Sequence, residues 1–209
     1  MSLAPATDKG AATRETIIDR AYGIACSTGL EGLSIGPLAQ AVGMSKSGVF
    51  AHFGSREDLL LAVLDSAAYR FGEFVLIPAL KARRGLPRLR AILSNWFEWV
   101  RGSEGGCLLI TAASEYDDRP GALRDRVLHH ELDWRAHLGR AVQQTIESGE
   151  LAADTDASLL VFELYAIALC VHHEAGLFGY AAARGRGERA LERLLAASAP
   201  VSSPPFVSE

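Results

Sequence analysis

The stretch Leu33 to Phe53, LSIGPLAQAVGMSKSGVFAHF, decides the fold. Ser34 is a good N-cap for a helix that reaches Ala41. Pro37 falls in its first turn, where a missing N–H costs nothing because that group has no partner inside the helix. Gly43 makes a turn, and Ser45 caps a second short helix that carries Gly48 and Val49. Leu38, Ala39 and Val42 give the first helix an apolar face, Val49 and Phe53 give one to the second, and the small Ala39 permits close approach. Two helices joined in this way pack at a steep angle with the second projecting outward, the geometry that delivers a helix to the major groove of DNA.

The outward side chains then carry the chemistry. Between Gly43 and Arg56 the chain holds the cations Lys46 and Arg56 and no acid, although the 209 residues carry a net charge of -4. Positive charge is therefore focused on this segment and absent from the whole, so any nucleic-acid contact is local. Ser45, Lys46 and Ser47 occupy the first turn of the projecting helix, where free N–H groups favour phosphate, and where short hydroxyls and a long cation reach base edges. Gly48 removes a side chain where backbone would approach DNA. Capping alone accounts for Ser34, Ser45 and Ser55, and only Ser34 and Ser45 gain a second role from their place beside DNA.

Outward from this stretch, strand signals are nearly absent and apolar residues recur at helical spacing, so the chain reads as all-α. A first helix is expected over Thr13 to Thr28, burying Ile18, Ala21, Tyr22 and Ala25 and ending at Gly29. Ser55 and Asp58 form a capping box for a helix running to Ile77 and stopped by Pro78. Lys81 to Pro87 reads as a linker. Further helices are expected over Pro87 to Arg101, Cys107 to Tyr116, Gly121 to Ser148, Asp156 to Tyr180 and Gly187 to Ala197. Their breaks fall at Gly102 to Gly106, Asp117 to Pro120, Gly149 to Thr155 and Ala183 to Arg186. The domains read as 1–60, ordered from about residue 12, then 61–197, with a flexible Ser- and Pro-rich tail over 198–209.

The run from Arg14 to Leu61 resembles the DNA-binding domain of the TetR/AcrR family of transcriptional regulators. It shares the Ile- and Ala-bearing helix ending in Gly29, Ser34-Ile35, Leu38-Ala39, Ala41 to Ser45, Val49 to Phe53 and Ser55 to Leu59. The resemblance implies a three-helix helix-turn-helix domain, joined by a long helix to a helical ligand-binding and dimerisation domain. It implies phosphate contacts from Ser34, Ser45, His52 and Arg56, base reading by Lys46 and Ser47, and backbone contacts from Thr13 and Arg14. Phe50 and Arg56 stand where the family usually has tyrosine and lysine. Phe50 therefore lacks a hydroxyl that commonly touches phosphate, while Arg56 keeps its charge.

In the second domain the resemblance implies an apolar effector cavity and a four-helix dimer interface. The candidate pocket residues are Trp96, Phe97, Leu108, Tyr116, His130, Trp134, Phe162, Tyr165 and Cys170, all large or polar residues on apolar helices. Aromatic residues at helical spacing are also plain core. Asp156 to Tyr180 is apolar almost all round, as expected of a helix buried by its own domain on one side and a partner on the other. Phe162, Leu169, His173 and Leu177, with Leu191, Leu194 and Leu195 of the last helix, are the expected interface. A dimer is required because two reading heads must meet half-sites about 34 to 36 Å apart.

The remaining features exclude more than they assign. The acidic turn EYDDR (Glu115 to Arg119) reads as a helix end with Asp118 capping the next helix. The functional alternative has Glu115 or Tyr116 joining the pocket mouth and relaying occupancy to the DNA-binding domain. Asp125, His129 and Asp133 share a helix face, which reads as a solvated stripe and not as a metal site. Cys26, Cys107 and Cys170 lie far apart, without metal spacing, and Cys107 has no adjacent base to activate a thiolate. No nucleophile elbow or phosphate loop supports an enzyme. Met1 to Ala12 lacks the pattern of a signal peptide, and no apolar run is judged to approach the ~20 residues of a membrane span. The expectation is a cytoplasmic homodimeric repressor without cofactor or metal, released from a palindromic operator by a small apolar or amphipathic effector. The alternatives are a constitutive DNA-binding regulator without a ligand and, more remotely, an enzyme built on the acidic turn and histidines.

Overall fold

The computed structural model describes residues 6–102 and 106–200, with side chains from residue 10. The expected tail beyond residue 200 and the centre of the Gly102 to Gly106 break lie outside the described residues. The described helices are α1 (Ala6–Gly32), α2 (Ile35–Ala41), α3 (Lys46–Phe53), α4 (Arg56–Ala79), α5 (Leu86–Gly102), α6 (Leu108–Tyr116), α7 (Ala122–Glu147), α8 (Ala157–Phe178) and α9 (Tyr180–Ala197). No strand occurs among the described residues.

The chain forms two compact units, one from Met1–Glu73 with Gly102–Leu132, the other from Phe74–Arg101 with Asp133–Glu209. The first unit reaches beyond residues 1–60 because the core does. Ile17, Ala21 and Leu30 of α1, Leu38 of α2, Val49 of α3 and Leu59, Leu60 and Val63 of α4 are sealed in one cluster, which also takes in Leu108, Ala112 and Tyr116 of α6. Deleting this apolar area from water is the main stabilising term, at about 25 cal/mol per Å². Tyr22 is only partly buried, its ring covered by the Arg70 guanidinium at 4.7 Å.

In the second unit α5 buries Leu89, Ile92, Leu93, Trp96 and Phe97 along one stripe. α8 and α9 form an antiparallel pair that buries Leu160, Leu164 and Ala168 from one helix and Leu191 and Leu195 from the other. Asp156 caps α8 by accepting the Leu159 N–H at 3.0 Å.

Several helix ends depart from the pattern read in the sequence, each for a local reason. α1 begins at Ala6 and not at Thr13, in keeping with the helix propensity of an alanine-rich approach. Its kink falls at Gly29, whose φ of 74° is the left-handed conformation that glycine adopts without penalty. α4 passes through Pro78 and ends at Ala79, since a proline in the last turn removes one bond from a helix already closing. Asp118 is not a cap: the Gly121 carbonyl takes the Asp125 N–H at 3.0 Å, and α7 starts at Ala122. The expected break at Ala183 to Arg186 is helical, and the chain turns instead at Gly179. Gly187 sits inside α9 because a Cβ there would collide with Val171 and come within 3.4 Å of Phe97. Close packing thus offsets the roughly 1 kcal/mol that glycine costs a helix interior.

α8 also corrects the reading that no apolar run approaches a membrane span, because its 22 residues are long and apolar enough by length and composition. The apolarity is divided between two faces. One is buried in its own unit; the other carries Phe162 and Leu177, 62% and 63% exposed.

Candidate nucleic-acid interface

α2 and α3 are assembled by the residues that the sequence pattern singles out. Leu38, Val49 and Phe53 point into the core, and Gly43, at φ 67°, reverses the chain between the helices. Ser45 accepts the Gly48 N–H at 3.0 Å and so caps α3. Its hydroxyl also lies 3.0 Å from that of Ser47. Ser34 stands at the cap position of α2, but its hydroxyl makes no capping bond. Ser34, Ser45, Lys46 and Ser47 are all exposed, and His52 is half-buried. No acidic side chain occurs in α3.

Lys46 has a seat that sequence reading missed. Its Cε lies 3.4 Å from where a Cβ on Gly36 would stand, so its stem lies against α2 at a point where a Cβ would already touch it and a larger side chain would compete for its place. The only available signal was an unexplained glycine inside a seven-residue helix. At Gly48 a Cβ would meet Met44 Cε and Ser45 Oγ, each 3.3 Å away. Phe50 is 38% exposed. Arg14 is exposed, with its guanidinium 4.9 Å from the centre of the Phe53 ring.

Arg56 bonds the turn between α1 and α2. Its Nε donates to Leu33 O at 3.3 Å, and its Nη2 to Leu30 O and Glu31 O at 3.4 and 3.0 Å. Ser55 donates its hydroxyl to Asp58 at 2.6 Å and accepts the Asp58 N–H at 3.0 Å. The shorter carboxylate thus binds the cap side chain where a capping-box glutamate would take the cap backbone N–H.

The expected pocket residues separate. Leu108 and Tyr116 are buried in the core of the first unit. His130 belongs to the same unit, its Nε2 2.8 Å from Asp65 Oδ1 in a cluster completed by Arg126. Burial raises the Asp65 pKa, but the hydrogen bonds and charge of Arg126 and His130 outweigh it and hold the carboxyl below its ordinary range. In the second unit Trp96 packs edge-on against Trp134 at 5.0 Å and Tyr165 at 5.4 Å, and Arg135 stacks over Tyr165 at 3.9 Å. Phe97 is buried beside Gly187. Cys170 is exposed on α8 and lines no core. A surface groove of about 430 Å³ in the second unit is lined by Arg135, Gly139, Ala157, Ser158, Val161 and Phe162.

Of the expected interface residues, Phe162, His173 and Leu177 are exposed and Leu169 half-buried, all on the outer side of α8. Leu191 and Leu195 are consumed inside their own unit, and Leu194 is half-buried. Asp125, His129 and Asp133 are exposed along α7.

His172 sets a pH dependence. Its Nδ1 is buried with no hydrogen-bond partner among the described residues, and burial, then the neighbouring His173, push its pKa down. A lowered folded value means that stabilisation is complete above the ordinary imidazole value of about 6.5 and is lost as pH falls through the lowered one. His137 acts in the same sense, lowered by burial and Arg140 against the opposing Asp133. The melting temperature is therefore expected to fall between about pH 7 and 5, and His172→Leu to flatten that fall. Equal slopes for the two proteins in a calorimetric pH series would contradict the assignment.

The model describing bacterial regulatory proteins of the tetR family matches residues 17–63, and that of the tetracycline repressor-like C-terminal domain matches residues 85–191. The second match alone spans more than half the chain, which belongs to the TetR family of DNA-binding transcriptional regulators. The HTH-type transcriptional repressor AcnR of Corynebacterium glutamicum is 37% identical over 75 residues, 36% of this chain and 39% of AcnR. The chain thus matches about two fifths of the length of this curated relative. Among solved structures, a TetR transcriptional regulator from Chloroflexus aurantiacus is similar at 28% identity and a TM-score of 0.77, with 90% of this chain and 95% of that one covered. AibR, solved in complex with isovaleryl coenzyme A and operator DNA, shares the fold at 22% identity and a TM-score of 0.67, covering 90% of this chain and 100% of its own.

Proposed function

We propose that the protein is a ligand-responsive repressor that acts in the cytoplasm as a homodimer on a palindromic operator. The observation that carries this reading is the exposed first turn of α3, where Lys46 lies against Gly36 of α2 and is flanked in sequence by the exposed Ser45 and Ser47. Lys46 and Ser47 read base edges; Ser34, Ser45 and His52 bind phosphate. Arg14 reaches the backbone from α1, and Phe50 contributes apolar contact in place of a phosphate bond. The exposed apolar side of α8, with Phe162, Leu169, His173 and Leu177, receives the partner subunit.

The effector is an apolar or amphipathic small molecule. The groove lined by Arg135, Gly139, Ala157, Ser158, Val161 and Phe162 supports a molecule with an apolar body and one polar group. AibR, which shares the fold, was solved with a small-molecule thioester, isovaleryl coenzyme A. Release requires only a few kcal/mol of differential affinity between the two states.

The test begins with a duplex enriched from a random-sequence pool by the full-length protein. Lys46→Ala is expected to weaken binding to it by about ten- to a hundredfold and to relax base preference at one position in each half-site. Failure to enrich any duplex, or wild-type affinity in the variant, would overturn the reading. Mass spectrometry of protein purified without denaturation identifies what occupies the second unit.

A further inference from the structure

Three segments of the first unit meet at the turn between α1 and α2. The kink at Gly29 turns the Leu30 N–H away from the helix, and Glu115 Oε2, at the end of α6, accepts it at 2.9 Å. A Cβ at position 29 would collide with the Glu115 carboxylate. The three carbonyls of Leu30, Glu31 and Leu33 receive the Arg56 fork from the first residue of α4. Glu31 joins the two sides: its carboxylate accepts the Tyr116 hydroxyl at 2.7 Å, and lies 3.6 Å from Arg119 and 3.8 Å from Arg56. Burial, and then the hydrogen bond to Glu31, push the Tyr116 pKa well up, so its proton stays on the hydroxyl and continues to be donated.

We infer that Arg56, Glu31, Tyr116 and Glu115 form a clasp that sets the orientation of the α2–α3 reading head against α6, with Arg56 a positioning residue and not a phosphate ligand. The inference rests on the DNA-binding reading proposed above. The clasp holds both ends of the reading head. Leu33 leads directly into the Ser34 cap of α2, and Arg56 follows α3 after only Gly54 and Ser55. A displacement of the last turn of α6 is therefore delivered to α3 from two sides at once. The acidic turn, whose sequence had two readings, is the handle of this device. The chemistry also explains the residue type. A guanidinium presents a planar fork able to serve several carbonyls together, whereas an ammonium is a point charge on a flexible stem.

The full-length variants Arg56→Lys, Arg56→Gln and Tyr116→Phe separate a clasp from a phosphate contact, using the duplex enriched by the wild-type protein. Arg56→Lys keeps the charge, so a phosphate contact would survive it. The clasp predicts a loss on the order of tenfold, similar to that of Arg56→Gln, because charge-assisted bonds to three carbonyls are broken. The slope of log affinity against log salt is expected to stay at the wild-type value in Arg56→Gln. A drop of about one unit is what a lost phosphate contact produces. Tyr116→Phe is expected to weaken binding several-fold at unchanged slope, and less than additively when combined with Arg56→Lys.

Wild-type affinity in Arg56→Lys, or a slope reduced by about one in Arg56→Gln, overturns the inference. Melting temperatures of the four proteins of the Arg56→Lys and Tyr116→Phe cycle, measured without DNA, test the clasp even if no duplex is enriched. Additive shifts there overturn it, whereas failure of the enrichment alone overturns the DNA-binding reading.

Discussion

A chain carrying both Phe162→Glu and Leu177→Glu is expected to sediment as a monomer and to lose operator affinity by about a hundredfold to ten-thousandfold, the advantage conferred by linking two reading heads. Both side chains are more than half exposed, so the fold has no reason to reject the carboxylates. A symmetric interface places the same apolar patch on both subunits, so each substitution introduces its charge twice into one desolvated seam. The helical content of the separated chain should remain close to wild type, with its melting temperature lowered by the stabilisation that association supplied. A variant that still sediments as a dimer would move the interface away from α8, and with it the account of how two copies of α3 are held one helical turn apart. A monomer that retains wild-type affinity would deny that binding is bivalent.

Phe97→Ala is expected to cost about 3 to 5 kcal/mol, the range for truncating a fully buried aromatic side chain. For a chain of this length that corresponds to a fall in melting temperature of about 10 °C. Phe97 is 1% exposed, and its ring lies 3.4 Å from the Cβ position of Gly187, so it fills the space that the glycine opens in α9. Removing it loosens the contact between α5 and the α8–α9 pair. Phe97→Leu, which restores most of the volume, should recover most of the stability. A shift below about 2 °C in Phe97→Ala would mean that this part of the core collapses around the gap and that Gly187 is not held by packing.

How far these features were legible depends on whether a residue acts through its neighbours in sequence. Ser45, Gly43, Val49 and Phe53 act within one turn and one helical pair, and the structure places all four as the pattern requires. Helix ends that depend on distant atoms were not legible. Gly187 reads as the start of a helix until Val171 is known to lie against it inside α9. The same limit applies to sites. Nothing adjacent in sequence announces that Arg56 would turn to the carbonyls of Leu30, Glu31 and Leu33, or that Leu191 and Leu195 would be used up inside their own unit. Glu115 and Tyr116 stood out by composition, but their partners at Leu30 and Glu31 are 85 residues away.

The glycine beneath Lys46 has an evolutionary consequence. Because the lysine stem lies against Gly36, its reach is set partly by a residue of the neighbouring helix that reads no base itself. A side chain larger than alanine at position 36 competes for the space of the ammonium head while leaving every residue of α3 intact. On the proposed reading of Lys46 as a base contact, descendants of this chain drift in operator preference through α2 alone, and an unchanged recognition helix in two such proteins does not imply that they share a target.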